Sequence, residues 1–83
     1  MEQVRYCVME YVSNDRDADS EEVCWCKEMY RASCVAESRW LETGKWHRVD
    51  LNVVNISRSG VECVESDPDL FFAGDVEAKL GGR

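Results

Sequence analysis

Apolar residues recur along this chain with two different periods, and the change of period sets the order of the elements. From Trp46 to Ile56 apolar and polar positions alternate. Val49, Leu51 and Val53 point one way, and Arg48, Asp50 and Asn52 the other, as in a half-buried strand. The phase slips at Val53 and Val54, which predicts a bulge or a strand end there. Ser57-Arg58-Ser59-Gly60 reads as a hairpin loop, and Val61-Glu62-Cys63-Val64-Glu65 as the returning strand. With Ile56 opposite Val61, Val54 meets Cys63 and Val53 meets Val64, so the apolar positions of the two runs match.

Upstream the period lengthens. Over Glu21–Thr43, Val23, Trp25, Cys26, Met29, Tyr30, Ala32, Ala36, Trp40 and Leu41 occupy one arc of a helix. Lys27, Glu28, Arg31, Ser38, Arg39 and Glu42 fill the other arc, with Glu28 and Arg31 in pairing distance. Asp19 and Glu22 form a capping box at the start, and Gly44 supplies a left-handed stop. About 23 helical residues would span roughly 35 Å, enough to cross a whole sheet or to project toward a partner.

The ends read less regularly. Residues 4–12 fit a helical stripe, yet Val4-Arg5-Tyr6-Cys7-Val8-Met9 is rich in β-formers and apolar on both faces, which favours a doubly buried strand. Residues 13–20 form a polar, acidic linker. Ser66-Asp67-Pro68-Asp69 has the chemistry of a helix start, with proline at the first helical position. Asp75 can cap a last turn running to Leu80, and residues 81–83 read as a frayed tail. The expectation is a single α+β domain over residues 1–83: strand, long helix, β-hairpin with an antiparallel sheet, and a short C-terminal helical turn.

Composition narrows the functions available. The length of 83 residues allows one domain with a small core. Five cysteines, Cys7, Cys24, Cys26, Cys34 and Cys63, are odd in number and irregular in spacing, and Met1-Glu2-Gln3-Val4-Arg5 does not open a signal peptide. Reduced thiols in a cytoplasmic protein are the simpler reading. Zinc sites pair their ligands at two to four residues and need two such pairs. Here there is one Cys-x-Cys, and on a helix Cys24 and Cys26 would stand about 160° apart. His47 is the only histidine and lies on the side of Val49 and Leu51, as a hydrogen-bonded sheet residue would. No phosphate loop or nucleophile elbow is present. Neither cofactor, nor metal, nor enzymatic activity is expected, and no apolar run has membrane-spanning length.

Charge carries the functional reading. Seventeen acidic residues face ten basic ones, a formal charge of −7. Asp15, Asp17, Asp19, Glu21 and Glu22 surround Arg16 alone. Glu62, Glu65, Asp67, Asp69, Asp75 and Glu77 form a second run without any base. Such a field repels nucleic acid and recruits basic proteins. Asp67-Pro68-Asp69-Leu70-Phe71-Phe72 adds aromatics ringed by acid, the composition of a docking segment. Alternatively, Phe71 and Phe72 fold back to close the core. The compact, acidic profile resembles that of small anti-defence proteins of phages and mobile elements, anti-CRISPR and anti-restriction proteins among them. The likeness is one of composition and covers no particular residues. It implies an inhibitor that occupies a basic surface of a nucleic-acid-processing protein. Asp15, Asp17, Asp19, Glu21, Glu22, Asp67 and Asp69 would supply charge, and Phe71 or Phe72 an anchor. The rivals are a cysteine-dependent metal or redox protein using Cys24, Cys26, Cys34 and His47, and a homodimeric structural subunit.

Overall fold

The computed structural model describes residues 2–60 and 62–75. The chain runs β1 (Glu2–Tyr11), β2 (Ser20–Cys26), α1 (Met29–Thr43), β3 (His47–Ile56) and β4 (Glu62–Ala73). All four strands join one antiparallel sheet in the order β2-β1-β3-β4. α1 lies on one face and carries the chain over β1, from the edge strand β2 to the interior strand β3. Over the described residues the result is a small α+β domain of one sheet and one helix.

β1 and β3 form where alternation and β-propensity place them. Val4, Tyr6 and Val8 of β1 stand opposite Val53, Leu51 and Val49 of β3. The intervening Arg5, Cys7 and Met9 stand opposite Asn52, Asp50 and Arg48 and point to the other face. Both faces of β1 are apolar because both become covered. Ala32 and Ala36 of α1 pack on Val8, Val49 and Ala73, their small side chains allowing close approach. On the far face Cys7 is fully buried although, among the described residues, no helix lies there. Long side chains do the covering. Arg5 lies 5.0 Å from the centre of the Trp25 ring, and Arg48 lies 5.2 Å from that of Tyr11.

The long helix expected over Glu21–Thr43 is corrected at its first third. Ser20–Cys26 is a strand, paired with β1 from Tyr11↔Ser20 to Tyr6↔Cys26. Val23, Trp25 and Cys26 fit a helical arc and a strand equally well, and pairing with β1 decides between them. Val23 sits at a bulge, since Val8 pairs with Cys24 but Met9 with Glu22. Asp19 does not cap a helix. Its carbonyl accepts the Val12 N–H at 2.9 Å and closes the β1–β2 connection. α1 has 15 residues, and Glu28 takes the N-cap in extended conformation with no side-chain cap bond. The stop at Gly44 stands: its φ is 71°, and its N–H reaches the Trp40 carbonyl at 2.8 Å. The Glu28–Arg31 pair also forms, at 3.7 Å on the exposed side.

The β3–β4 hairpin forms with its register one residue later than expected. Gly60, at φ 83°, donates to the Ser57 carbonyl at 3.0 Å, and pairing begins at Ile56↔Glu62. Val54 therefore meets Val64, while Val53 meets Glu65. One step of register exchanges the faces of a strand. The expected slip at Val53 and Val54 is found lower, where Leu51↔Asp67 gives way to Val49↔Phe71.

Ser66–Asp69 is not a helix start, because β4 continues to Ala73. Pro68, Asp69 and Leu70 bulge opposite Asp50, with Asp69 in the left-handed region at φ 62°. An edge strand tolerates proline where an interior strand would not. The Asp69 N–H donates to Asp50 Oδ1 at 2.9 Å, in place of a ladder bond. Residues 76–80 of the turn expected from Asp75 to Leu80, and the tail at 81–83, lie outside the described residues.

The sheet is longer than its cover. β2 ends opposite Tyr6, so residues 2–5 of β1 pair with β3 alone. In this half only β1, β3 and β4 continue. Val4, Ile56 and Val64 remain 37%, 41% and 54% exposed, whereas Val8 and Val49 are fully buried.

Candidate functional site

The acidic segment between β1 and β2 is folded tightly. Ala18 N–H reaches the Asp15 carbonyl at 3.0 Å, and Asp17 N–H reaches Asp15 Oδ1 at 2.9 Å. Asn14 ties this turn to the α1–β3 connection, donating to the Gly44 carbonyl at 2.8 Å and accepting from Trp46 N–H at 2.9 Å. Asp15, Asp17 and Asp19 are exposed on it.

Arg16, the one base in the segment, reaches across to β4. Its guanidinium pairs with Asp69 Oδ2 at 2.8 Å and stacks 4.2 Å from the centre of the Phe72 ring. Beneath, Asp50 Oδ1 accepts from Arg48 Nε at 2.9 Å and from the Asp69 N–H. Burial opposes the charge of Arg48, but its hydrogen bonds with Asp50 and Tyr11 and the charge of Asp50 outweigh that, and its pKa is raised. This chain of bonds brings the first acidic patch onto the strand that carries the second. Glu62, Glu65 and Asp67 are exposed along the same strand.

The remaining expected site residues fall elsewhere. Glu21 and Glu22 are exposed on β2, not on a helix start, and the Glu22 carboxylate raises the pKa of the Cys7 thiol. Phe71 packs against the core under α1. Phe72 points to the other face, edge-on to Trp46 at 5.3 Å and to Tyr11 at 6.1 Å between ring centres. Both rings are engaged inside the chain. Gly74 keeps room for Phe72, since a Cβ there would lie 2.5 Å from the ring.

The thiols divide by environment. Burial, then the neighbouring Glu22, pushes the Cys7 pKa up to about 12, against a hydrogen bond from Asn52 Nδ2 at 3.2 Å. Cys24 and Cys26 are not splayed around a helix. They stand two apart on β2 and share one face, and burial followed by Cys26 raises the Cys24 pKa. Cys34 and Cys63 are exposed. Among the described residues no group of three or more His, Cys, Asp or Glu side chains gathers as a metal would require. No described helix is long and apolar enough to cross a membrane.

One polar cluster escaped sequence reasoning. His47, fully buried, has Nδ1 2.7 Å from the Lys45 carbonyl, so Nδ1 carries the proton. Its Nε2 lies 3.3 Å from both Arg39 Nε and Glu10 Oε1, and Arg39 also pairs with Glu10 at 3.3 Å. The three residues come from β1, α1 and β3, and nothing local in the sequence joins them. They tie the helix to the sheet.

No family model, curated protein or solved structure matches the chain.

Proposed function

We propose that this chain acts by binding rather than catalysis, as an acidic inhibitor that occupies a basic surface of a nucleic-acid-processing protein. One observation carries the reading: the Arg16–Asp69 ion pair, which neutralises the only base of the first patch and ties that patch to β4. Asp15, Asp17, Asp19, Glu65 and Asp67 then present one sign of charge from a braced turn and a strand. Fixed carboxylates lose little freedom on docking, and the field that steers DNA to a basic groove steers such a surface equally well. Cytoplasmic action on the anti-defence pattern belongs to the same proposal.

The test is capture of a host protein by the immobilised chain across a salt series. Binding should weaken as the Debye length falls below about 10 Å. Duplex DNA should displace the captured protein. A variant carrying Asp15→Asn, Asp17→Asn, Asp19→Asn and Asp67→Asn should keep its fold and lose the partner. Retention that is indifferent to salt and to these changes would refute the reading.

A thiol-based function keeps one observation in its favour, the shared face of Cys24 and Cys26 on β2. Serine at both positions should leave partner binding unchanged if the acidic surface is responsible.

A further inference from the structure

We propose that a cleft in the uncovered half of the sheet seats a lysine or arginine side chain of the protein partner. This rests on the docking role above and assigns it a contact point. The cleft, of about 170 Å³, lies between β3 and β4 and is lined by Leu51, Val53, Glu65, Ser66 and Asp67. The register explains its make-up. Val53 stands opposite Glu65 and Leu51 opposite Asp67, so each apolar residue has a carboxylate beside it on one face of the sheet. The one-residue shift of the hairpin produces this, because the expected register would have set Val64 against Val53.

Glu65 and Asp67 are exposed, and neither takes part in the ion pairs formed among the described residues. An apolar floor with anionic groups at its rim complements a long aliphatic stem ending in a cation. Lysine and arginine lay their methylenes on apolar surface while the head stays at its edge. The head then gains charge-assisted hydrogen bonds.

Charge also selects among occupants. Val4, paired with Val53, extends the apolar floor, and a second copy packed face to face would cover it. That arrangement would set Glu65 and Asp67 against their own counterparts, and like charges held together oppose association. A cationic segment of another protein meets no such barrier.

The experiment titrates the isotope-labelled full chain with tetrapeptides of diaminobutyric acid, ornithine and lysine. These carry equal charge on side chains of two, three and four methylenes, in buffer acidic enough to keep every amine protonated. Affinity should rise about twofold per methylene, half the roughly fourfold of a fully buried methylene, with shifts at the Leu51 and Val53 methyl groups. Val53→Thr, close in shape, should flatten that dependence. Glu65→Gln with Asp67→Asn should weaken the lysine peptide about tenfold. Equal affinities with shifts confined to residues 15–22 would overturn the cleft and leave the acidic docking surface standing. Absence of binding by all three peptides at low salt would overturn both. A concentration-dependent dimer that perturbs Leu51 and Val53 without peptide would give the cleft to a second copy.

Discussion

The half of the sheet around Val8 and Val49 and the half around Val4 and Val53 are built from the same strands, yet only the first lies under α1. In the covered half Val8 of β1 and Val49 of β3 are fully buried. On the same face of the bare half Val4 is 37% exposed and Val53, flanked by Glu65, is half-buried. The difference separates two uses of a β-branched residue. Beneath the helix it contributes to stability. Beyond the helix it is apolar surface awaiting contact, and it costs the fold little.

The largest test of that division compares two identical truncations. Val49→Ala should lower the unfolding free energy by about 2–3 kcal/mol, through lost burial and a residual cavity. Val4→Ala, on the same face of the bare half, should lower it by no more than about 1 kcal/mol. Equal losses in urea would mean that the bare half is covered after all. Gly74→Ala comes next. The new methyl group would displace Phe72 from Trp46 and Tyr11, at about 1–3 kcal/mol and with altered aromatic resonances.

Alkali sharpens the comparison on the face opposite the helix. The folded Cys7 pKa is raised, so the folded state holds a proton that the unfolded chain gives up. Its contribution is intact below the ordinary value of 9.0 and is lost as pH climbs through about 12. A stability profile of Cys7→Ala should lack that component. Alkylation of the native chain should reach the exposed Cys34 and Cys63 first and spare Cys7 until unfolding. Arg16→Gln should likewise cost no more than about 1 kcal/mol, since both partners are partly exposed. It should nevertheless loosen the 15–19 turn from β4, visible as faster amide exchange there.

Elements whose local chemistry agrees with their tertiary role were legible in the sequence. β3 alternates cleanly, Gly44 ends α1, and residues 57–60 turn the hairpin. Ser20–Cys26 was not legible, because Val23, Trp25 and Cys26 satisfy both periods and only pairing with β1 selects the strand. Ser66–Asp69 misled for a different reason: proline and aspartate that open a helix locally also suit a bulge on an edge. The acidic patches were legible as composition. Their joining was not, since Arg16 and Asp69 stand 53 residues apart. The grouping of Glu10, Arg39 and His47 across three elements left no local trace either.

The bulge at Pro68 and Asp69 bears on how the protein behaves when concentrated. A straight outer strand of 12 residues would be a template for fibril growth. Proline offers no amide hydrogen to an incoming strand, the left-handed residue turns the backbone aside, and the carboxylates repel a copy of themselves. Among the described residues the longer outer edge is thereby interrupted, and it pairs poorly with a copy of itself.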